Sequence, residues 1–240
     1  MIKKILSTLL VSSVMFLGLA TSSFSFERPT IAIGGSLNYG GYVASGKEIE
    51  GSSGVTRPGY TEEENDGTAA MEVGYSSVFL EMTIADRLTL GAEYMAEEVE
   101  TEIAERTDTC TVQCDETGIG TDLGTSTVKA VFSNLTTMYA ELRLFNGVYA
   151  KMGAMEIDVE TKESLHTSSS YANITLDGST YGIGYKNSWD NGMFVKTETM
   201  IHNWDNFTIT ATSADATPNG NSIKGDMDGI VASLRIGKAF

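Results

Sequence analysis

Basic residues are scarce in this 240-residue sequence, where 16 Lys and Arg stand against 32 Asp and Glu for a net charge of −16. Phosphate backbones are bound by clustered Lys and Arg, so nucleic acid is excluded as a partner. Proline is nearly missing, at 3 residues against 25 glycines. That composition argues against a proline-rich or disordered linker and suits closely approaching strands. No repeat of 20 to 50 residues is visible beyond a hairpin pattern. Past the N-terminal segment no apolar run approaches the roughly 18 residues of a helical span, so a membrane-crossing chain of this kind must cross as a barrel.

The N-terminal segment is of another kind. Met1-Ile-Lys-Lys supplies a positive start, residues 5 to 20 are mostly apolar, and small residues follow at Gly18-Leu-Ala20 and Ser23-Phe-Ser25. This is the pattern of a cleaved secretory signal. Ser7, Thr8, Ser12 and Ser13 interrupt the run, which falls short of the roughly 20 residues of a spanning helix. The expected organisation is a signal peptide over 1–25, cut after Ala20 or Ser25, and one mature domain over 26–240. Cleavage removes Lys3 and Lys4 and no acid, so the charge falls from −16 to −18.

In the mature chain the apolar residues alternate with period 2. Eight segments read as strands: about 30–43, 68–84, 88–97, 127–144, 148–161, 174–188, 193–210 and the C-terminal stretch from 223. Three connections are tight: Ala85-Asp86-Arg87, Phe145-Asn146-Gly147 and Trp189-Asp190-Asn191-Gly192. Asn-Gly between alternating runs is a strong hairpin signal, since both residues accept φ > 0. The other four connections, about 45–67, 98–126, 162–173 and 211–222, are long and polar. Strict alternation of short turns and long loops marks a transmembrane barrel, whereas a soluble sandwich gives no reason for it. Ten strands result if part of 98–126 pairs as an extra hairpin.

The last strand carries the most specific pattern. Ile230, Ala232, Leu234, Ile236 and Phe240 share one face, and Val231, Ser233, Arg235 and Gly237 the other. Here the chain resembles bacterial outer-membrane β-barrel proteins, whose final strand closes on a C-terminal Phe after apolar residues at every second position. Leu234, Ile236 and Phe240 match that assembly signal. Lys238 departs from it, as a side chain that can snorkel to the headgroups. The whole mature chain is similar in architecture to small OmpA-, OmpX- and opacity-type barrels. The resemblance implies an all-β, up-and-down antiparallel transmembrane barrel of eight strands, with short periplasmic turns and long extracellular loops. It further implies outer-membrane lipid, lipopolysaccharide and the barrel-assembly machinery as partners, and a structural or surface-interaction role with no cofactor and no enzymatic activity. No periplasmic domain is expected after Phe240.

Face assignment directs a set of charges inward: Glu93, Glu141, Arg143, Lys151, Lys186, Lys196, Glu198 and Arg235, with Glu81 or Glu97 as additions. An eight-stranded barrel is just wide enough for side chains to fill, so these charges are expected to pair as a polar plug. The alternative is a small porin or channel for ions or small solutes that uses the same residues as a selectivity filter. The second segment fits two registers, reconciled by a bulge near Ser76-Ser77. Phe145, Tyr149, Trp189, Phe194 and Phe240 at the turn end, and Tyr39, Tyr42, Trp204 and Phe207 at the loop end, are expected as aromatic girdles.

The first two long loops are crowded with acids, from Glu48, Glu50, Glu62, Glu63 and Glu64 to Asp115, Glu116 and Asp122. Hard carboxylate oxygens could hold divalent cations there, although a solvated, self-repelling loop face explains them as well. Asp226 and Asp228 lack the surrounding pattern of a calcium loop, and no metal site is assigned. Cys110 and Cys114, in the second loop, are expected to form a local disulfide in an exported protein. His166-Thr167-Ser168 resembles the His-x-Ser pair of outer-membrane lipid A deacylases, which implies a Ser nucleophile with Glu160 or Glu163 orienting the base. Asp205 near His202 resembles, more weakly, the Asp-His site of barrel proteases.

Overall fold

The computed structural model of the chain describes residues 29–50, 63–109, 122–164, 170–212 and 222–240. The signal segment, Cys110, Cys114, His166, Ser168 and the loop acids Glu62, Asp115 and Glu116 lie outside the described residues. The described residues form twelve strands: β1 Thr30–Glu50, β2 Glu63–Ile84, β3 Leu88–Met95, β4 Val99–Glu100, β5 Ala104–Thr109, β6 Asp122–Phe145, β7 Val148–Ser164, β8 Ser170–Tyr171, β9 Ile174–Ser188, β10 Met193–Trp204, β11 Phe207–Thr212 and β12 Ser222–Ala239.

The antiparallel sheet runs β1-β2-β3-β6-β7-β9-β10-β12 and closes through the β1–β12 pairing. The expectation of an eight-stranded barrel is corrected on this point. Eight strands form the closed ring, but the sheet has twelve, because β4 and β5 pair on β6 while β11 pairs on β12 and carries β8. Of the extra strands, β4, β5 and β8 come from segments read as polar loops, and β11 from the end of the segment read as one strand over 193–210. A period-2 pattern of apolar residues is weak where a strand stands clear of the core, so 45–67 and 98–126 looked like connections. The proposed single strand over 193–210 is two, broken at Asp205-Asn206.

Three tight turns close one end. Ala85 and Asp86 have φ of 51° and 54°, and Asn146 and Gly147 have 45° and 84°. Two consecutive positive-φ residues make type I′ turns, whose twist matches that of the strands they join. Gly192, at φ 83°, ends the third. The bulge expected at Ser76-Ser77 is absent: β1 and β2 pair without a shift from Thr30↔Thr83 to Glu50↔Glu63. Phe79 and Glu81 therefore face inward, while Val78 and Leu80 face out. The irregularity lies in β6 instead, between Ser133 and Thr136, where Asn134 sits at φ 57°. Asn tolerates this left-handed conformation better than other non-glycine residues.

Toward the tight turns the ring is apolar outside and polar inside. On β12 the outward row runs from Ile230, 62% exposed, to Phe240, 70% exposed. These residues are ~33 Å apart along the strand at ~3.3 Å per residue, or ~25 Å along the axis at a tilt near 40°. Lys238, in the same row, lies with its ammonium 5.4 Å from the Phe240 ring centre. On the loop side the row gives way to Asp228 on β12, Glu72 on β2 and Glu156 on β7.

Candidate functional site

The ring interior is built in two layers. Toward the turns lies a packed set of ions. Lys196, fully buried, donates to Glu81 Oε1 at 2.6 Å and to both Glu141 oxygens at 2.9 and 2.7 Å. Arg235, also fully buried, donates from Nη1 to Glu198 Oε1 at 3.0 Å and from Nη2 to the Tyr139 hydroxyl at 2.6 Å. Its Nη2 lies 3.4 Å from Glu93 and 3.7 Å from Glu81. Lys151 donates to Glu198 Oε2 at 2.8 Å. Charge-assisted bonds of this length are the strong class, and they are what allows ions to remain in a dry interior.

Neutral groups complete the layer. The Tyr139 hydroxyl donates to Glu81 at 2.8 Å and the Tyr149 hydroxyl to Glu198 at 2.6 Å. Ser36 and Ser77 donate to Glu93 Oε1 at 2.6 and 2.5 Å, and Asn38 donates to Ser77 at 3.0 Å. The Arg235 guanidinium stacks 4.1 Å over Phe79, and the Lys151 ammonium lies 4.0 Å over Tyr139. Small residues make room for the rings: a Cβ on Gly184 would fall 2.4 Å from Tyr149, and one on Gly91 2.3 Å from Tyr139.

Toward the loops the interior turns apolar, with Met95, Leu135, Met155, Ile157, Val159, Leu176, Trp204, Met227 and Val231 packed together. At the boundary His202 is buried, and its Nδ1 lies 3.0 Å from the Tyr42 hydroxyl. A cavity of about 20 Å³ lies between the layers, lined by Glu93, Lys151, Glu198, Thr180 and His202 among others. It has room for about one water. The Thr180 hydroxyl, buried and without a hydrogen-bond partner among the described residues, belongs to this lining.

Six of the eight charges assigned to the lumen, Glu93, Glu141, Lys151, Lys196, Glu198 and Arg235, meet in this network. Two stand apart. Arg143 is exposed, beside the irregular pairing that precedes the β6–β7 turn. Lys186 is half-buried at the turn end, its ammonium 4.3 Å over the Phe194 ring. Of the two added acids, Glu81 is in the network, while Glu97 is exposed and accepts the Ser76 backbone N–H. Leu234, Ile236 and Phe240 all face outward and are exposed.

The girdle assignment is corrected for Tyr42, Tyr149, Phe194 and Trp204, which are buried inside the ring. Proximity to a strand end does not fix which face a residue takes; parity does. Tyr149 shares its face with Lys151, and Phe194 with Lys196, so the alternation already placed them inward. Parity would also have found Ser36, Asn38 and Tyr139.

His202 and Asp205 are not brought together, since His202 points into the ring at Tyr42 while Asp205 is exposed and donates its backbone N–H to the Asp177 carbonyl. Glu163 accepts the Tyr171 backbone N–H. Among the described residues no three His, Cys, Asp or Glu are grouped to hold a metal ion. Above the apolar belt, Glu100 on β4 pairs with Lys129 on β6 at 2.5 Å. The hydrogen bond from Lys129 holds the Glu100 carboxyl below the usual carboxylate range.

No protein-family model and no curated protein matches the sequence. Among solved structures the chain is similar to the outer membrane protease OmpT from Escherichia coli, at 10% identity over 92% of this chain and 100% of that one, with a TM-score of 0.47. It is similar to the outer membrane protein OprG from Pseudomonas aeruginosa, at 9% identity over 86% of this chain and 96% of that one, TM-score 0.43. A third is the outer membrane protein AlkL in lipid bilayers, at 12% identity over 92% and 94% of the two chains, TM-score 0.42.

Proposed function

We propose that this chain is an integral β-barrel of a bacterial outer membrane, closed by an ion-paired plug, which anchors long strands that project at the cell surface for structural or interaction purposes. The outward apolar belt, ~25 Å tall, matches the band of such barrels, and the inversion of polarity between its two faces suits lipid outside. The strands outreach the membrane. A span takes about 9–11 residues, whereas β1 and β2 pair continuously from Thr30 to Glu50, so roughly half of that hairpin stands clear. The Leu234, Ile236 and Phe240 row is exposed for the assembly machinery and then for lipid.

The observation that carries the closed lumen is the packing of Lys196 and Arg235, each fully buried and shared among several carboxylates. An aqueous pore would leave such groups hydrated, whereas the Arg235 guanidinium lies over Phe79 and the Lys196 ammonium 5.2 Å over Tyr149. Catalysis is not part of this reading, because His202, the one histidine among the described residues, is engaged by Tyr42 inside the ring. The test is single-channel conductance of the refolded protein in a planar bilayer. Silence from protein shown to be folded and inserted is the expected result. Stable openings whose ion selectivity follows charge reversal at Lys151 and Lys196 would overturn the plug and establish a small porin.

A further inference from the structure

Above the belt the wall of the ring is split. β2 pairs with β3 only from Ile84 up to Ser77, opposite Met95, and continues to Glu63 with β1 as its one neighbour among the described residues. The chain beyond Met95 follows β6 instead, as β4 and β5. The edge of β2 from Ser76 upward is therefore open. At the foot of the opening the Ser76 backbone N–H donates to the Glu97 carboxylate, where lower down a strand carbonyl would accept it. In an antiparallel sheet alternate residues turn their N–H and C=O toward the same neighbour, and β1 and β2 pair without a shift. Gly74, Glu72, Ala70, Thr68 and Asp66 thus point both groups into the opening, and all five are exposed.

A long edge of this kind is a template for a further strand unless Pro, Lys or a bulge guards it. None of the three occurs between Asp66 and Ser76, and Gly67, Thr68, Ala69, Ala70 and Gly74 leave the backbone accessible. From Asp66 to Gly74 the edge runs ~26 Å at ~3.3 Å per residue, longer than a common strand of about five or six residues. Open backbone groups do not occur against hydrocarbon, so this edge stands in the aqueous phase and its occupant is not a lipid chain.

The banks of the opening select the occupant further. Asp66 and Glu72 lie on one side and Glu97, Glu98, Glu100, Glu102 and Glu105 on the other, with no Lys or Arg in 66–76 or 97–105. A second copy turned about the membrane normal would set this edge against its own acids, an unfavourable pairing. Behind the edge the inward side chains of Met71, Val73 and Tyr75 pack on the apolar upper interior and are only half-buried. A strand laid on β2 would cover that floor with every second residue and meet the acids with the others. We propose that this edge takes up an extended segment of another polypeptide, antiparallel to β2, with basic residues alternating outward and apolar residues alternating inward over Met71, Val73 and Tyr75. Main-chain bonds supply the affinity, and the alternating side chains and acidic banks supply the selectivity.

This gives the surface-interaction reading its partner and rests on that reading, which membrane fractionation and conductance test separately. Binding is measured on the protein folded in neutral detergent micelles at physiological salt, with heat-modifiable gel migration as the folding control. The probe is a short dye-labelled peptide of alternating Lys and Val, followed by fluorescence anisotropy. The residues of β2 that face the opening with their backbone carry outward side chains, so the outward Lys residues of an antiparallel partner bond to them and the Val N–H groups point away. The expected result is saturable binding that falls at least tenfold when the Lys amides are N-methylated and is retained when the Val amides are methylated instead, at unchanged charge. Ala70→Pro removes an N–H that faces the opening and none that β1 uses, a place where an edge strand tolerates Pro, and is expected to weaken binding to the same degree. The peptide comparison needs no variant and decides the question even if Ala70→Pro does not fold. No binding, or equal binding of the two methylated peptides, would overturn the proposal, the second by reducing it to attraction between charges. Self-association of the barrel that Ala70→Pro abolishes would overturn it too, by making a second copy the occupant.

Discussion

Replacing Lys196 with Met removes the cation that Glu81 and Glu141 share while keeping a side chain of similar length. At the 2.7 Å separation of Lys196 and Glu141, the gross attraction is about 6 kcal/mol at an effective dielectric near 20. Desolvation of the ions offsets much of it, and removing one member of a buried pair costs about 3–5 kcal/mol because the partner is left uncompensated. Here two carboxylates lose their nearest cation while Arg235 stays 3.7 Å from Glu81 and 3.9 Å from Glu141, so the lower part of that range is expected. The assay is urea unfolding of the barrel in lipid vesicles, followed by tryptophan fluorescence from Trp189, exposed near a turn, and Trp204, buried inside the ring. If the penalty comes from stranded charge, adding Glu81→Gln and Glu141→Gln to Lys196→Met restores at least half of the loss. A loss under about 1 kcal/mol, or a triple variant no more stable than the single, would refute the reasoning.

Leu234→Arg, midway along the outward row of β12, is expected to cost about 2–4 kcal/mol in the same assay if that row meets hydrocarbon; a neutral result would argue that it does not. Gly184→Ala forces a Cβ to within 2.4 Å of the Tyr149 ring and is expected to cost about 1–3 kcal/mol by overpacking, checked by the urea midpoint. Glu100 titrates below the usual range because Lys129 donates to it. A depressed carboxylate contributes stability that is present above its unfolded pKa and is lost as pH falls through the folded one. Lys129→Met is therefore expected to raise the Glu100 midpoint toward its ordinary value in a carboxyl-carbon NMR titration, and an unmoved midpoint would show that the pair does not form in solution.

Where one face of a strand meets an apolar surround, the sequence is easy to read. Ile230 to Phe240, and Leu142 with Leu144, alternate because every second residue is outward, and Asn146-Gly147 fixes a turn by a backbone conformation few residues tolerate. The ion network followed from the same parity applied to its charged members. Its neutral members did not, since Tyr149 and Phe194 were judged by their position at a strand end. Strand number was illegible for another reason. In β5, Ala-Glu-Arg-Thr-Asp-Thr is polar on both faces, and nothing in such a pattern distinguishes a paired strand above the membrane from a loop. The bulge at Asn134 was hidden too, because one extra residue changes parity without changing composition.

A barrel whose outside is apolar gains nothing in lipid by burying that outside against itself, so the interior must define the pairing. Backbone hydrogen bonds close the ring in any register, but a one-residue slip turns every side chain to the opposite face. Slipping β10 against β12 would carry Lys196 and Glu198 out to hydrocarbon, leave Arg235 facing Val195 or Thr197, and take from Glu81 and Glu141 their nearest cation. Each stranded ion is penalised far more than a displaced Leu. The network therefore acts as a lock on register as much as a plug. It also explains why the charges sit in the half of the ring nearest the tight turns, where all eight ring strands pair, and why the interior turns apolar as the ring opens toward the loops.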